Sequence, residues 1–286
     1  MVTAMQPMWR YILAAVMLGI MLLWAAWGRA EEAKPEEKKE EAAAAEDRPQ
    51  FSGSVDFLTQ YVFRGIALSK HSLVIQPSMT VSYKGFAVNI WGNWDTDERN
   101  PYGLTPDRRK SKWNETDFTI SYSREVFTNF TLSGGFIYYA LDSNNSPYDS
   151  MELYGGLAYK FPWFEAGFSA YREIYHFPGW YLWWYVSRSF DLPFAGASLD
   201  LLAGWSAVLS DDKAVFPTYN GKYYRSLNAG QLAATLNFPV GKYVKISPKI
   251  QYWYALGGQS TYTLNNLSWD RKHNHVLGGV NISVAF

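Results

Sequence analysis

The sequence has 286 residues, with 26 basic and 26 acidic side chains that cancel to a net charge of zero, and it contains no cysteine. Zero net charge argues against a nucleic-acid-binding protein, and the absence of cysteine excludes disulfide frameworks and thiolate metal sites. The 13 Trp, 21 Tyr and 17 Phe residues exceed what the core of an ordinary soluble domain can hold. Many aromatics with a nearly neutral mean hydropathy are typical of a membrane β-barrel, in which lipid-facing and lumen-facing residues alternate.

The N-terminal residues predict an exported protein. Residues 1–10 carry a positive charge, residues 11–27 (YILAAVMLGIMLLWAAW) are uncharged and apolar, and Gly28 and Ala30 are small. This order is typical of a secretory signal peptide that is cleaved after Ala30. An uncleaved membrane anchor would have a similar apolar length. Because no further run of this kind follows, we predict a signal peptide at residues 1–30.

Residues 31–50 predict a spacer rather than a folded domain. The stretch EEAKPEEKKEEAAAAEDRP, residues 31–49, is charged, rich in alanine and free of aromatic side chains. It therefore cannot bury a hydrophobic core. We expect an acidic, alanine-rich periplasmic spacer at residues 31–50; docking to peptidoglycan or another envelope protein is the alternative. The folded domain is predicted to occupy residues 51–286.

From Phe51 onward, apolar and polar residues alternate with a period of two, which indicates strands with one apolar face and one wet face. The first run is FSGSVDFLTQYVFR, and the stretch WYLWWYVS is so rich in aromatics that its outward face cannot be read. We predict twelve strands, near residues 51–64, 73–83, 86–95, 116–123, 130–140, 150–160, 164–175, 180–189, 197–209, 228–238, 244–256 and 275–286.

The lengths of the connections alternate. Gaps at residues 84–85, 124–129, 161–163, 190–196 and 239–243 are short, whereas three of the interleaved gaps are long: residues 96–115, 210–226 and 257–274. Outer-membrane barrels have short periplasmic turns and longer extracellular loops. The pattern predicts an all-β fold, a transmembrane antiparallel β-barrel of about twelve strands with six outer loops, five inner turns and both termini in the periplasm.

The last strand, HVLGGVNISVAF, runs to the final residue, with Val280, Ile282 and Val284 on alternate positions before Phe286. A barrel closes by pairing its last strand with its first, so we interpret this segment as the closing strand. A terminal aromatic residue preceded by apolar residues at every second position also resembles the signal that the outer-membrane barrel assembly machinery reads. We predict that these four residues form that signal.

The charged residues expected on the inner face are mixed in sign. They are Asp56, Arg64, Asp95, Asp117, Glu152, Lys160, Glu165, Asp200, Lys245 and Lys249, and all except Lys160, Glu165 and Asp200 are candidates for setting selectivity. Twelve strands lie between the smallest barrels, which side chains fill, and the wide porins. Such a lumen can carry a narrow water-filled path whose charges set ion preference. The alternative is a salt-bridged internal network that plugs the barrel.

Two further features have competing interpretations. Arg64 either attracts anions at the outer mouth or forms a buried pair with Asp95 or Asp56 that holds the strand register. Aromatic residues near predicted strand ends are interpreted as an interfacial girdle rather than a sugar-stacking surface. These aromatic residues are Tyr61, Phe63, Tyr83, Phe86 and Trp94.

The stretch DFLTQYVFRGIALSKHSLVIQPSMTVSYKGFAVNIWGNWDTD resembles the TorF-type family of outer-membrane porins. Members of that family open with a strand that ends in a Tyr, an aromatic residue and Arg-Gly, and reach a Gly-, Trp- and Asp-rich end of the third strand. The matching residues here are Tyr61, Phe63, Arg64, Gly65, Trp91, Gly92 and Asp95. The chain departs from the usual polar run after RGI by reading ALSKHS. The resemblance implies a porin and names no solute.

These observations predict an outer-membrane channel of a Gram-negative bacterium for passive diffusion of ions or small polar solutes. One alternative is a non-conducting barrel that acts as a surface receptor or structural protein through its outer loops. A barrel hydrolase is the other. Its histidine would come from His71, His176, His273 or His275, but no Gly-x-Ser-x-Gly context surrounds them.

The expected partners follow from the predicted location. They are outer-membrane lipid and lipopolysaccharide, the barrel assembly machinery, and small polar solutes or ions. We predict no nucleic-acid partner, catalytic residue, cofactor or metal site, since the sequence HNH at residues 273–275 suits a solvated loop end better than a metal site. A homo-oligomer is left open.

Overall fold

A computed structural model describes residues 48–99, 110–142 and 148–286, all of which belong to one compact unit spanning Ala44–Phe286. The predicted signal peptide and nearly all of the predicted spacer lie outside the described residues. The elements are β1 (Gln50–Leu58), β2 (Val62–Phe63), β3 (Ile66–Ala67), β4 (Val74–Tyr83), β5 (Phe86–Glu98), β6 (Lys110–Phe127), β7 (Phe130–Leu141), β8 (Ser150–Lys160), β9 (Glu165–Glu173), β10 (Gly179–Asp191), β11 (Ser198–Ser210), β12 (Arg225–Val240), β13 (Val244–Ala255), α1 (Gly258–Leu267) and β14 (His275–Ala285).

Twelve strands, β1 and β4 to β14, form a closed antiparallel barrel in which each strand pairs with its sequence neighbours and β1 pairs with both β4 and β14. Closure aligns Ser52 with Ala285 and Leu58 with Gly279. The predicted fold class and the predicted role of the last strand in closing the barrel are therefore confirmed. The location of the termini in the periplasm stays a prediction.

The two ends of the barrel differ in their connections. Five short turns lie at the end of the barrel where β1 begins and β14 ends, which we call the turn end. The other six connections lie at the opposite end, which we call the loop end. At the turn between β4 and β5, Lys84 and Gly85 both have positive φ, 49° and 87°. Such angles define the two-residue hairpin turn that matches strand twist.

Outward-facing side chains are apolar and exposed. Met79, Ile250 and Val276 are 72%, 54% and 66% exposed, and the alternate positions of the same strands turn toward the barrel interior. A continuous exposed apolar surface of this kind is what a barrel needs where it meets lipid. The predicted alternation along the strands is thus present in three dimensions.

The structure resolves the orientation of the aromatic run in β10. Trp180 is 41% exposed and Tyr181 only 8%, and Trp183 packs against Trp253 with ring centroids 6.0 Å apart. Trp184, on the opposite face of the strand from Trp183, has its ring centroid 5.2 Å from that of Phe168. The tryptophans of this strand therefore divide between the outer surface and the lumen.

The first strand is shorter than predicted, because it ends at Leu58 instead of continuing to Arg64. The following residues form β2 and β3, a small two-stranded sheet that we call the lumen hairpin (residues 62–67). Its tip residues Arg64 and Gly65 have φ of 54° and 89°, again the geometry of a two-residue turn. A Cβ atom on Gly65 would lie 2.5 Å from the Cβ of Ala229 on β12, so only glycine fits here.

The lumen hairpin enters the barrel and packs in a hydrophobic core inside it. The buried residues of this core are Leu58, Tyr61, Val74, Ala229, Trp253, Leu264 and Leu277, and Phe63, Ile66, Trp91 and Trp183 are among the residues that pack against them. Tyr61 is 7% exposed, and its ring lies 5.7 Å from that of Trp91. The prediction that Tyr61 and Phe63 belong to an interfacial girdle is therefore wrong. Tyr83, Phe86 and Trp94 are exposed, as that prediction requires.

Two predicted loops contain regular structure. The strands β5 and β6 extend to Glu98 and begin at Lys110, well beyond the predicted limits of residues 95 and 116. Residues 257–274, predicted as a loop, contain α1. Its residue Leu264 is fully buried in the hydrophobic core that includes the lumen hairpin. Among the described residues, no helix is long and apolar enough to cross a membrane.

Candidate functional site: a constriction at the loop end of the lumen

Arg64 at the tip of the lumen hairpin forms a bidentate ion pair with Glu152 on β8. The Arg64 Nη1 and Nη2 atoms lie 2.6 and 2.7 Å from the Glu152 Oε1 and Oε2 atoms, and the Tyr139 hydroxyl donates a third hydrogen bond to Oε2 at 2.8 Å. The sequence analysis considered a buried pair of Arg64 with Asp95 or Asp56. The pair exists, but its partner is Glu152, whereas Asp56 pairs with Lys249 and Asp95 accepts from the Asp97 N–H.

Aromatic rings surround the Arg64 guanidinium. Its carbon Cζ lies 4.1 Å from the ring centre of Tyr181, 4.7 Å from that of Phe63 and 4.8 Å from that of Tyr171. A cation over aromatic faces is attracted by the ring quadrupole. Burial opposes the charge on the guanidinium, but the attraction of the Glu152 carboxylate outweighs it and raises the pKa of Arg64 above its ordinary value. Arg64 is therefore a permanent cation inside the barrel.

The lumen hairpin is anchored on two further sides. The Asn228 side chain on β12 donates to the backbone oxygen of Arg64 at 3.1 Å. The backbone oxygen of Ala67 accepts from the Trp269 N–H at 2.9 Å, and the Ala67 N–H donates to the Ser268 hydroxyl at 3.2 Å. With the Glu152 pair, these contacts tie the hairpin to two strands of the barrel wall, β8 and β12, and to the connection between α1 and β14. The hairpin is therefore a fixed constriction of the lumen.

A chain of buried amides lines the wall formed by β4, β5 and β6. The Gln76 amide donates to Asn93 at 3.0 Å, Asn93 donates to Asn114 at 2.7 Å, and Asn114 donates to the Glu98 carboxylate at 3.0 Å. Buried amides without partners would cost free energy, so this ladder satisfies each in turn. It gives this side of the lumen a polar surface next to the apolar core.

Glu115 and Asp117 lie on the inner face of β6 beside Tyr61. Glu115 is 7% exposed, and one carboxylate oxygen of Asp117 is buried without a hydrogen-bond partner among the described residues. Burial, and then the negative charges of Glu115 and Asp117, raise the pKa of Tyr61 well above its usual value. Tyr61 therefore stays a neutral hydrogen-bond donor facing two acids.

The remaining predicted lumen residues are spread along the barrel. The Lys249 ammonium lies 2.5 Å from the Asp56 carboxylate, and the two side chains retain 19% and 21% exposure. Asp95 is fully buried, with one oxygen accepting from the Asp97 N–H at 2.9 Å. Lys245 is exposed near the turn end. The structure brings only Arg64 and Glu152 together at the constriction, and Asp117 lies close by.

A cavity of about 330 Å³ opens at the loop end, above the constriction; we call it the mouth cavity. Phe63 and Arg64 of the lumen hairpin, Glu152 and Tyr181 of the barrel wall, and Trp269 after α1 are among its lining residues. Glu115 on β6 and Glu173 on β9 add two further carboxylates to the wall. The cavity combines aromatic surface with buried charge.

The four histidines differ in their surroundings. The His273 ring nitrogen Nδ1 lies 2.9 Å from the Asn265 side-chain oxygen, and His275 is buried with its Nδ1 3.3 Å from the Asp270 carboxylate. Among the residues that the structure describes, no cluster of three or more potential metal ligands occurs. His71 and His176 lie in separate connections at the loop end.

Sequence reasoning missed the aromatic residues around Arg64 and the two acids Glu115 and Glu173. Tyr171 and Tyr181 occupy the same alternate positions as the polar residues of their strands, and this parity could have placed them inside the barrel. The signal for the lumen hairpin was the Arg-Gly pair between Val62-Phe63 and Ile66-Ala67. A short turn sequence flanked by strand-forming residues predicts a hairpin.

Comparison with known families gives one assignment. Residues 42–215, more than half of the chain, match the family described as a bacterial protein of unknown function, Gcw_chp. The chain belongs to the Gcw_chp family. The family description names no activity, and no curated protein matches the chain significantly.

Among solved structures, this Gcw_chp protein is similar to several outer-membrane barrels. The KdgM porin is 10% identical with a TM-score of 0.48, over 82% of this chain and 99% of that one. The NanC porin is 11% identical with a TM-score of 0.47, over 84% and 99%. The COG4313 outer membrane channel from Pseudomonas putida F1 is 8% identical with a TM-score of 0.47, over 83% and 95%. These values add nothing to the fold that the strand pairing itself establishes.

Proposed function

We propose that this Gcw_chp protein is an outer-membrane channel of the TorF type, through which ions or small polar solutes diffuse passively. The observation that carries the proposal is the division of the closed barrel into an apolar outer surface and a polar inner face with accessible charges. Inside the barrel, the side chains of Asp56 and Lys249 are 21% and 19% exposed. Charged side chains inside the barrel are therefore accessible to water, as a diffusion path requires.

The proposal includes a location and an assembly route. The protein is exported through a cleaved signal peptide at residues 1–30, the termini lie in the periplasm, and the outer surface contacts lipid and lipopolysaccharide. The barrel assembly machinery reads the final residues, in which Val280, Ile282 and Val284 face outward before Phe286. The proposal assigns the protein no chemical reaction.

In the proposed channel, the lumen hairpin sets the narrowest point. It lies between the polar turn half of the lumen and the mouth cavity, and its fixed anchors keep the passage small. The anchored position of the lumen hairpin inside the barrel also favours a second candidate function. If the hairpin and its hydrophobic core seal the lumen, the protein is a non-conducting barrel that acts through its outer loops.

Planar-bilayer recording of the refolded chain without residues 1–30 tests both candidates. Three proteins are compared: the native sequence, a variant with residues 61–69 replaced by a short Gly-Ser linker, and a control in which residues 193–196, exposed at the turn end, are replaced in the same way. The channel predicts discrete openings for the native protein, a several-fold larger conductance without the hairpin, and native conductance for the control. A native protein that stays closed at all voltages, with openings only when the hairpin is removed, would establish the non-conducting barrel.

A further inference from the structure

The mouth cavity has the size and enclosure of a binding site. Its volume of about 330 Å³ lies within the range of small-ligand pockets, roughly 300–1,000 Å³. The lumen hairpin lines the side of the cavity that faces the turn end. Phe177 and Phe216, from two loop-end connections, contribute to the cavity walls. A solute that enters the barrel from the loop end meets this cavity before the constriction.

The walls carry more negative than positive charge. Arg64 is the one basic side chain among the described lining residues, and Glu152 neutralises it through the bidentate pair. Glu173 accepts hydrogen bonds only from neutral donors, the Ser150 hydroxyl and the N–H groups of His176 and Phe177. Glu115 accepts a hydrogen bond from the Tyr61 hydroxyl and is hydrogen-bonded to the Asp117 carboxyl group. Two carboxylates of the wall therefore lack a basic partner among the described residues.

Glu115 has a second acid beside it. Asp117, two residues along β6, is hydrogen-bonded to Glu115, although one of its oxygens has no partner among the described residues. Two adjacent buried acids oppose each other's ionisation. A cation beside Glu115 would reduce the cost of burying both acids.

The rings that enclose Arg64 show how this wall holds a cation. Phe63 and Tyr181 contact the guanidinium with their faces and also line the mouth cavity. Tyr139, Trp180 and Trp269 also line the cavity, together with Glu115 and Glu173. Aromatic faces combined with carboxylates recognise ammonium groups, whereas they repel carboxylate or phosphate solutes.

We propose that the mouth cavity binds a small organic cation, an ammonium group carried on an apolar or aromatic body. The inference deepens the proposed channel function, on which it rests, by naming the class of solute that the loop end admits. Glu115 and Glu173 supply the charge complementarity, and the aromatic walls bind the apolar part of the solute.

The test uses benzyltrimethylammonium as the probe, with benzenesulfonate as the anionic comparison and benzyl alcohol as the neutral one. Binding to the purified chain in detergent micelles is followed by tryptophan fluorescence, since Trp180 and Trp269 line the cavity. We expect saturable binding of the cation only. We also expect Glu115→Gln and Glu173→Gln each to raise its Kd at least about tenfold. Asp200→Asn should leave the Kd unchanged, because the Asp200 carboxylate lies at the turn end with Ser189 and Asn237 as partners.

Equal binding of the three probes, or a Kd that neither glutamate variant alters, would overturn the inference. If one glutamate variant fails to fold, the other variant and the comparison of probes still decide. Conductance measured in parallel separates this inference from the proposed function. Openings without selective cation binding reject the cation site and leave the channel standing, whereas selective binding to a closed barrel rejects the channel and retains the site as that of a receptor.

Discussion

At the scale of single residues, the lumen shows how a barrel accommodates charge away from bulk water. Arg64 and Glu152 retain side-chain exposures of only 17% and 5%, so each depends on the other and on nearby rings and hydroxyls. A buried charge that loses its partner is strongly destabilising, whereas an exposed pair contributes little. The chain offers both kinds of pair for comparison.

Replacing Arg64 by methionine should destabilise the barrel by about 3 kcal/mol, because Glu152 is left as an uncompensated buried charge. The matched control is Arg172→Met, which removes an ion pair with Asp211 in which the two side chains are 31% and 40% exposed. It should cost less than about 1 kcal/mol. Denaturant unfolding of both variants in detergent measures the two losses. Similar losses would mean that the Arg64 pair has no special role in stability.

The connection between β13 and β14 contains an acid that should make stability depend on pH. Burial of Asp270 opposes its ionisation, but the approach of His275 and the hydrogen bond from Gln60 outweigh it and hold the pKa of the carboxyl below its usual value. The ionised carboxylate is therefore favoured in the folded state. Its stabilisation is fully present above the unfolded pKa of about 3.9 and is lost as the pH falls through the lower folded pKa.

Asp270→Asn should cost about 2 kcal/mol at neutral pH, the magnitude of a hydrogen bond to a charged group. The difference between the native protein and the variant should shrink as the pH falls below about 4. Unfolding free energies measured from pH 7 down to pH 3 test this expectation. A difference that stays constant over that range contradicts the assigned role of the ionised carboxylate.

At the scale of elements, the decisive feature is that the β1–β4 connection leaves the wall and folds inward. Its geometry depends on Arg64 and Gly65, which form a tight turn with positive φ at both residues, and on the close approach of Gly65 to β12. The Leu68 N–H then bonds to the Tyr61 oxygen at 2.8 Å, which closes the base of the connection. The constriction is therefore built from local turn geometry and one tight contact.

Gly65→Ala should perturb the lumen hairpin more than a glycine substitution elsewhere. The strain of positive φ costs about 1 kcal/mol for any side chain, and the overlap with Ala229 adds about 2 kcal/mol. Gly221→Ala is the control, because Gly221 has φ of 67° with open space around its Cβ position. Hydrogen exchange at the Leu68 amide should accelerate strongly in the first variant only. Equal acceleration in both would show that the contact with Ala229 is unimportant.

At the scale of the whole molecule, the closed barrel separates two environments that the strands cross residue by residue. Neighbouring residues of one strand can therefore differ in polarity, one apolar on the outer surface and the next polar inside the barrel. Ile250 on β13 is 54% exposed on the outer surface, whereas Gln251 points inward and accepts a hydrogen bond from Gln231 at 3.0 Å. The proposed placement in a membrane makes a direct prediction about these two positions.

Ile250→Lys should lower the stability of the barrel in lipid vesicles by about 2–4 kcal/mol, because the ammonium would face the hydrocarbon. Gln251→Lys places the same charge inside the lumen and should cost clearly less. Urea-dependent folding into vesicles, followed by tryptophan fluorescence, measures both changes. If the two substitutions cost the same, the outer surface does not face lipid.

Several features could be predicted from the sequence because they follow from local pattern. Period-two alternation predicted twelve strands, and the alternating lengths of the gaps predicted the two kinds of connection; both agree with the closed sheet. The pattern failed at residues 59–67, where alternation continues past the end of β1. A hairpin inside a barrel has the same alternation as the wall, so periodicity alone cannot separate them.

The sequence by itself determined that this chain forms an antiparallel barrel with an apolar outside and a polar inside, because strand periodicity and turn chemistry are local properties. Only the tertiary structure decided the partner of Arg64, the inward course of the lumen hairpin and the face that each aromatic residue of β10 presents. These depend on which strands lie opposite each other after closure. Tyrosine and tryptophan suit both a lipid interface and a lumen wall, so their identity does not specify their side.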